Sequence, residues 1–151
     1  MKQMRESKSK FHKFTVDIKD YKIIQRLGAG GFSSVYSVQN LKTGENMAAK
    51  VLNLNNNEEK CKQMINREIG IMIRCQHPTI VRFIGFSIKD FHNENNITIL
   101  MEYAAKGSLS IFLQKVQNGL LDETYNNTNR QIILIGIARG MMYLHQHQII
   151  H

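Results

Sequence analysis

The segment Leu27-Gly28-Ala29-Gly30-Gly31-Phe32-Ser33-Ser34-Val35-Tyr36 constrains the fold more than any other stretch of this chain. Glycine lets a backbone take positive φ and come close to a ligand. Successive exposed N–H groups in such a turn make a concavity suited to phosphate oxygens. The flanks decide which phosphate motif this can be. A dinucleotide fingerprint needs a helix after the glycines, but Val35-Tyr36-Ser37-Val38 alternates and is β-branched, which continues a strand. A P-loop needs Gly-Lys-Ser/Thr closing the loop, and none is present. A strand, glycine loop, strand arrangement is left, folding over a nucleotide as a flap. On these residues alone, a plain glycine-rich hairpin stays open.

Strand patterns run over residues 21–27, 35–39, 47–52, 80–88 and 97–103. A helix is expected over 58–74, ended by His77-Pro78 because proline disfavours helix in its predecessor. Two more helices follow, near 108–114 and 129–146, with asparagine-rich loops between elements. Strands first, one helix interposed and helices last predicts an α+β fold. The net charge of +8 raises nucleic acid as a partner. Half of the excess, however, sits in Lys2, Arg5, Lys8, Lys10 and Lys13 against Glu6, and no base-stacking module accompanies it. Residues 1–16 read as a basic, disordered tail. There is no apolar run long enough to span a membrane and no secretory leader. Cys61 and Cys75 read as reduced thiols of a cytoplasmic protein.

A lysine and a glutamate carry the sharpest chemical expectation. In Met47-Ala48-Ala49-Lys50-Val51-Leu52 both strand faces are apolar except for Lys50. Wound at about 100° per residue, the 58–74 helix gathers Cys61, Met64, Ile65, Met72 and Cys75 into one apolar stripe. Glu68 falls in its middle, with Arg67 and Arg74 on the solvated side. A carboxylate centred on a core-facing stripe is costly unless it meets a cation. The expectation is therefore a buried Lys50–Glu68 pair that aims the ammonium at phosphate oxygens.

These parts together resemble the eukaryotic protein kinases. Leu27-Gly28-x-Gly30-x-Phe32-Ser33-x-Val35-Tyr36 resembles the family's glycine-rich loop, and Met47-Ala48-Ala49-Lys50 its Val-Ala-Ile-Lys strand. Arg67-Glu68-Ile69 is similar to the centre of its C-helix, and His77-Pro78-Thr79-Ile80-Val81 to the stretch that follows. Met101-Glu102-Tyr103 and Gly107-Ser108-Leu109 are similar to the gatekeeper, hinge and next helix. Tyr143-Leu144-His145 and Ile149-Ile150-His151 resemble the approach to the catalytic loop. The style is nearest to the tyrosine-kinase-like serine/threonine kinases.

The resemblance implies a five-stranded antiparallel N-lobe with a C-helix over residues 17–103, and the start of a helical C-lobe over 104–151. It implies ATP as ligand, with Gly28, Ala29, Gly30, Gly31 and Phe32 over the triphosphate and Ser33 where the family usually has a third glycine. Val35 and Ala48 would sandwich adenine, with Leu27 at the entrance and Met101 as gatekeeper. Backbone groups of Glu102 and Ala104 would bond the adenine edge. Lys50 would contact the α- and β-phosphates and pair with Glu68.

His151 matches the His of His-Arg-Asp and is the last residue. The catalytic Asp and the magnesium ligands of the family have no counterpart before it. The chain therefore reads as truncated, weak in nucleotide binding and inactive towards protein, with magnesium bound by residues it does not carry. The other readings are a non-catalytic nucleotide-binding scaffold, of pseudokinase type, and a nonfunctional gene fragment. The last helix is apolar on every side, which predicts an exposed apolar surface and a partner to cover it. His145, His147 and His151 do not have the spacing of a metal site.

Overall fold

The computed structural model describes residues 11–53, 59, 63, 65–120 and 126–149. The tail residues 1–10, Cys61 and Met64 of the expected helical stripe, and His151 lie outside the described residues. The chain divides into two compact units: residues up to 76 together with 82–103, and residues 77–81 together with 104–151.

The first unit is built on one antiparallel sheet of β1 (Tyr21–Gly30), β2 (Ser33–Asn40), β3 (Asn46–Leu52), β4 (Phe83–Ser87) and β5 (Ile97–Glu102), in the order β1-β2-β3-β5-β4. Alternation along the strands makes two apolar faces. On one, Val38, Met47, Ala49 and Leu100 are buried, with Val16, Tyr36, Ile84 and Phe91 packed on them. On the other, Leu52, Phe86, Ile97 and Ile99 are covered by Phe11 and Ile69, with Phe14, Met72 and Ile73 alongside.

The helical segment between β3 and β4, already helical at 59 and 63, runs through a widened π turn (Ile65–Ile69) and continues as α1 (Gly70–Arg74). Ile69, Met72 and Ile73, spaced i, i+3 and i+4, are what it presents to the sheet. Cys75, just past its end, is buried, and that burial pushes its thiol up despite the Arg74 charge beside it.

Residues 11–16 correct the expectation of a disordered tail. A 3-10 turn at His12–Phe14 leads to a parallel bridge between Thr15 and Phe86, and the Val16 N–H donates to the Phe86 carbonyl at 2.9 Å. Phe11 is 9% exposed inside the core; a buried ring of this kind contributes about 1.5–3 kcal/mol. The charge count hid two aromatic anchors, Phe11 and Phe14, three residues apart.

The loop between β4 and β5 is organised by Asp90. Its Oδ1 accepts from the backbone N–H groups of His92 (2.8 Å) and Glu94 (3.0 Å), and its Oδ2 from Asn96 Nδ2 (2.8 Å). Burial favours the neutral carboxyl, but these donors, from Asn96 and the two backbone groups, together outweigh it and hold Asp90 below its usual range.

In the second unit, α2 (Leu109–Gln117) is capped by Ser108, whose Oγ accepts from Ile111 N, and Gly119 follows it at φ +64°. The helix α3 (Asn127–Gln146) is capped in the same way by Asn126. Gly140 is its one buried residue among those described, because a Cβ there would meet Thr79 Oγ1 at 3.0 Å. Ile132, Leu134, Ile135, Ile137 and Met142 are exposed, Leu134 by 65%, as the all-round apolar pattern predicts. No helix of the described residues is long and apolar enough to cross a membrane.

The Asp90 network yields a stability prediction. A lowered carboxyl pKa in the fold stabilises above the unfolded value and loses that contribution as pH falls through the folded one. Asp90→Asn should therefore destabilise the chain at pH 7 by about 1–3 kcal/mol. Its deficit against the parent should shrink progressively below pH 4 in urea melts. A deficit independent of pH would show that the charge is not what matters.

Candidate functional site

The site residues of the first unit fall into cross-strand rows, since residues directly opposite in an antiparallel ladder share a face. Gly28 lies opposite Val35, Val35 opposite Lys50, and Lys50 opposite Ile99. In the next row, Ser37 lies opposite Ala48, and Ala48 opposite Met101. The row on the other side runs Gly30, Ser33, Leu52 and Ile97. Rows on one face are about 7 Å apart and strands about 4.8 Å apart. Val35, Ala48, Lys50 and Met101 thus form one patch on a single face.

The glycine segment differs from expectation in detail. Gly28, Ala29 and Gly30 are part of β1, and only Gly31 and Phe32 turn the chain. None of these three glycines takes positive φ. A Cβ at Gly28, Gly30 or Gly31 would meet nothing within 4 Å. Their openness therefore serves neither the turn geometry nor the packing of the protein, and it leaves the hairpin backbone bare to an approaching ligand. Register shifts between Ile23 and Gln25 and between Arg26 and Gly28 bend this edge strand, a common device beside binding sites. Phe32 at the tip is 86% exposed, and Leu27 is exposed as well.

Lys50 is half-buried, and its ammonium has no hydrogen-bond or ion-pair partner among the described residues. The expectation of a buried Lys50–Glu68 pair is not met. Glu68 is exposed and likewise unpartnered among the described residues. The stripe that faces the sheet is centred on Ile69, which is 1% exposed, and not on its exposed neighbour Glu68. An isoleucine is buried at no electrostatic cost, whereas a carboxylate loses hydration that only a close cation repays. Arg67 and Arg74 are exposed, as expected.

At the end of β5, Glu102 is held at both ends of its residue. Its N–H donates to the Arg82 carbonyl at 3.0 Å, and its Oε1 accepts from the Arg82 N–H at 3.0 Å. Arg82 carries no sequence signal of this role. Ala104 belongs to the second unit, where its carbonyl accepts from Gly107 N at 3.0 Å. A shallow cavity of about 190 Å³, lined in part by Tyr36, Val51, Asp90 and Asn96, lies beside the opposite sheet face, away from Lys50. Among the described residues, no cluster of three or more His, Cys, Asp or Glu could hold a metal ion.

A glycine hairpin at the edge of a five-stranded sheet, a lysine on β3, then a helix and two further strands are the parts expected of a kinase N-lobe. The chain belongs to the protein kinase family: the protein kinase domain model matches residues 21–151. The five-stranded sheet with its helix is the N-lobe of that domain, and α2 and α3 begin the C-lobe. Among curated relatives, the chain is 30% identical over 131 residues to Serine/threonine-protein kinase 1 of Arabidopsis thaliana, covering 87% of this chain and 14% of that protein. It is 29% identical over 137 residues to Serine/threonine-protein kinase PLK4 of Nematostella vectensis, covering 89% and 13%. It is 32% identical over 131 residues to Mitogen-activated protein kinase kinase kinase 1 of Homo sapiens, covering 84% and 8%. The chain thus spans a small fraction of the relatives it matches.

Two substitutions test this geometry. Glu68→Gln should change stability by no more than about 0.5 kcal/mol, as for other exposed positions. A buried pair would cost about 3–5 kcal/mol on losing one partner, so a large drop in the denaturation midpoint would contradict the exposed placement. Gly30→Ala should likewise melt within about 0.5 kcal/mol of the parent, because no neighbour stands in the way of the added methyl.

Proposed function

We propose that this chain is the ATP-binding part of a protein kinase domain which, in its complete form, transfers the γ-phosphoryl group of ATP to a serine or threonine hydroxyl of a protein. The single observation that carries the reading is the Lys50 ammonium. It is half-buried on an apolar sheet face, unpartnered among the described residues, and in one cross-strand row with Val35 and the open backbone at Gly28. A cation placed this way has exchanged part of its hydration for apolar neighbours, and an anionic ligand restores what it lost. Serine/threonine specificity is supported by the names of two of the relatives.

In this reading Gly28, Ala29, Gly30, Gly31 and Phe32 lie over the triphosphate, with Ser33 closing the turn. Lys50 neutralises phosphate oxygens. Val35 and Ala48 sandwich the adenine, with Leu27 at its edge and Met101 behind it. Backbone groups of Glu102 and Ala104 read the adenine edge, and the Arg82 contacts keep Glu102 in place. Glu68 acts only when it reaches Lys50. Magnesium would neutralise charge on the phosphates in the complete reaction. The described residues do not fit a magnesium site of their own, and no role here passes through the metal.

The test is thermal denaturation of the full 151-residue chain with and without ATP and magnesium. Binding should raise the stability, by about 2.7 kcal/mol at a hundredfold excess of ligand over Kd. Lys50→Met should abolish that increment while leaving the ligand-free melt nearly in place. An increment that survives Lys50→Met intact would remove Lys50 from the site.

A further inference from the structure

The end of β5 departs from the sheet ladder in one bond. In an antiparallel pair of the hydrogen-bonded kind, the two opposite residues exchange both of their backbone N–H···O bonds. Glu102 and Arg82 stand in that relation, one step beyond the Phe83–Met101 pair of β4 and β5. The Glu102 N–H donates to the Arg82 carbonyl at 3.0 Å, as the ladder requires. The reciprocal bond is replaced. The Arg82 N–H donates to Glu102 Oε1, also at 3.0 Å, so the Glu102 carbonyl receives no bond from Arg82. Met47, its neighbour on β3, does not supply one either, because the N–H and C=O of a strand residue point to the same edge, here the β4 side. A carboxylate wins this competition with its own carbonyl, since a charge-assisted hydrogen bond is about twice as strong as a neutral one. The register shift between Phe83 and Gly85 already interrupts the regular ladder beside it.

We propose that the Glu102 side chain is a positioning group: by taking the Arg82 N–H, its carboxylate keeps the Glu102 carbonyl off the ladder and available to an N–H of the nucleotide base. The inference rests on the reading of Glu102 as part of the adenine edge. Met101, the residue before it, lies opposite Ala48 in the row next to that of Lys50. Glu102 itself stands three residues past Ile99, the partner of Lys50, or about 10 Å along the strand. A carbonyl that holds a ladder bond is aimed at β4, whereas an uncommitted one keeps both lone pairs for a donor. The exocyclic amino group of adenine is such a donor. The oxo group that hypoxanthine carries in its place sets oxygen against oxygen. The carboxylate touches no ligand in this arrangement and acts only through the main chain.

The test compares ATP with inosine triphosphate, which lacks the amino group, by titrating each with magnesium into the full 151-residue chain. Glu102→Ala removes the competing acceptor and returns the Arg82 N–H to the carbonyl of residue 102. Glu102→Gln keeps Oε1 as a neutral acceptor. The preference for ATP over inosine triphosphate should fall about tenfold in Glu102→Ala, the size of one hydrogen bond, and return towards the parent value in Glu102→Gln. A side chain that merely supports the fold would weaken both nucleotides alike, so equal weakening or an unchanged preference overturns the proposal. The second readout needs no nucleotide. The scalar coupling across a hydrogen bond between the Arg82 nitrogen and the carbonyl carbon of residue 102, absent in the parent, should appear in Glu102→Ala. A variant that folds without this coupling also overturns the proposal. Glu102→Asp, a methylene shorter, takes the place of the alanine variant if that chain does not fold, with the same two readouts. If neither the parent nor any variant binds ATP, the adenine reading of Glu102 fails. The coupling then still decides whether the carboxylate keeps the carbonyl off the ladder.

Discussion

The pairing of β3 on both of its edges is the constraint on which the rest depends. Held between β2 and β5, the strand sends Met47, Ala49 and Val51 to one face and Ala48, Lys50 and Leu52 to the other. A slip of one residue would exchange the two sets. Lys50 would then face Val38, Leu100 and the apolar side chains packed on them, where an ammonium has no partner and no water. The register is therefore enforced by the cost of misplacing one charge, and the same register sets Lys50 in line with Val35 and the glycine hairpin. Stability and the nucleotide reading draw on a single alternation.

The helix that follows β3 shows how an apolar residue and a charged one compete for the same inward place. Ile69 occupies it, supported by Phe11, Met72 and Ile73. Glu68 remains hydrated at the rim, and Lys50 keeps part of its own hydration because it is only half-buried. Neither charge is stranded, so the separated state carries no large electrostatic penalty. A widened turn spans Ile65–Ile69, and such turns are frequent at functional places in helices.

In the second unit the physical situation is different. Its long helix α3 offers apolar side chains around most of its circumference, and only Gly140 is buried among its described residues. Close approach at Thr79 and the ring contact of His77 with Tyr143 at 5.0 Å tie it to residues 77–81. A helix with this pattern gains its stability from burial against other elements more than from its own turns.

Much of this was legible in the sequence because local chemistry decides it. The alternation of 47–52 fixes which residues share a face with Lys50, and the glycines between two strand patterns mark the hairpin. The Phe11–Val16 strap was not legible, since basic residues dominate that stretch and nothing local says that two phenylalanines will find the sheet. The inward face of the helix was not legible either. Periodicity centres it on Glu68, whereas the fold centres it on Ile69, and the choice between them depends on what the opposing surface supplies. That surface is made of Leu52, Ile97, Ile99 and Phe11, drawn from distant parts of the chain, and it is apolar. Hydrophobic pattern along a segment is a property of the segment alone, while the cost of burying a charge is a property of its surroundings, which only the folded chain assembles.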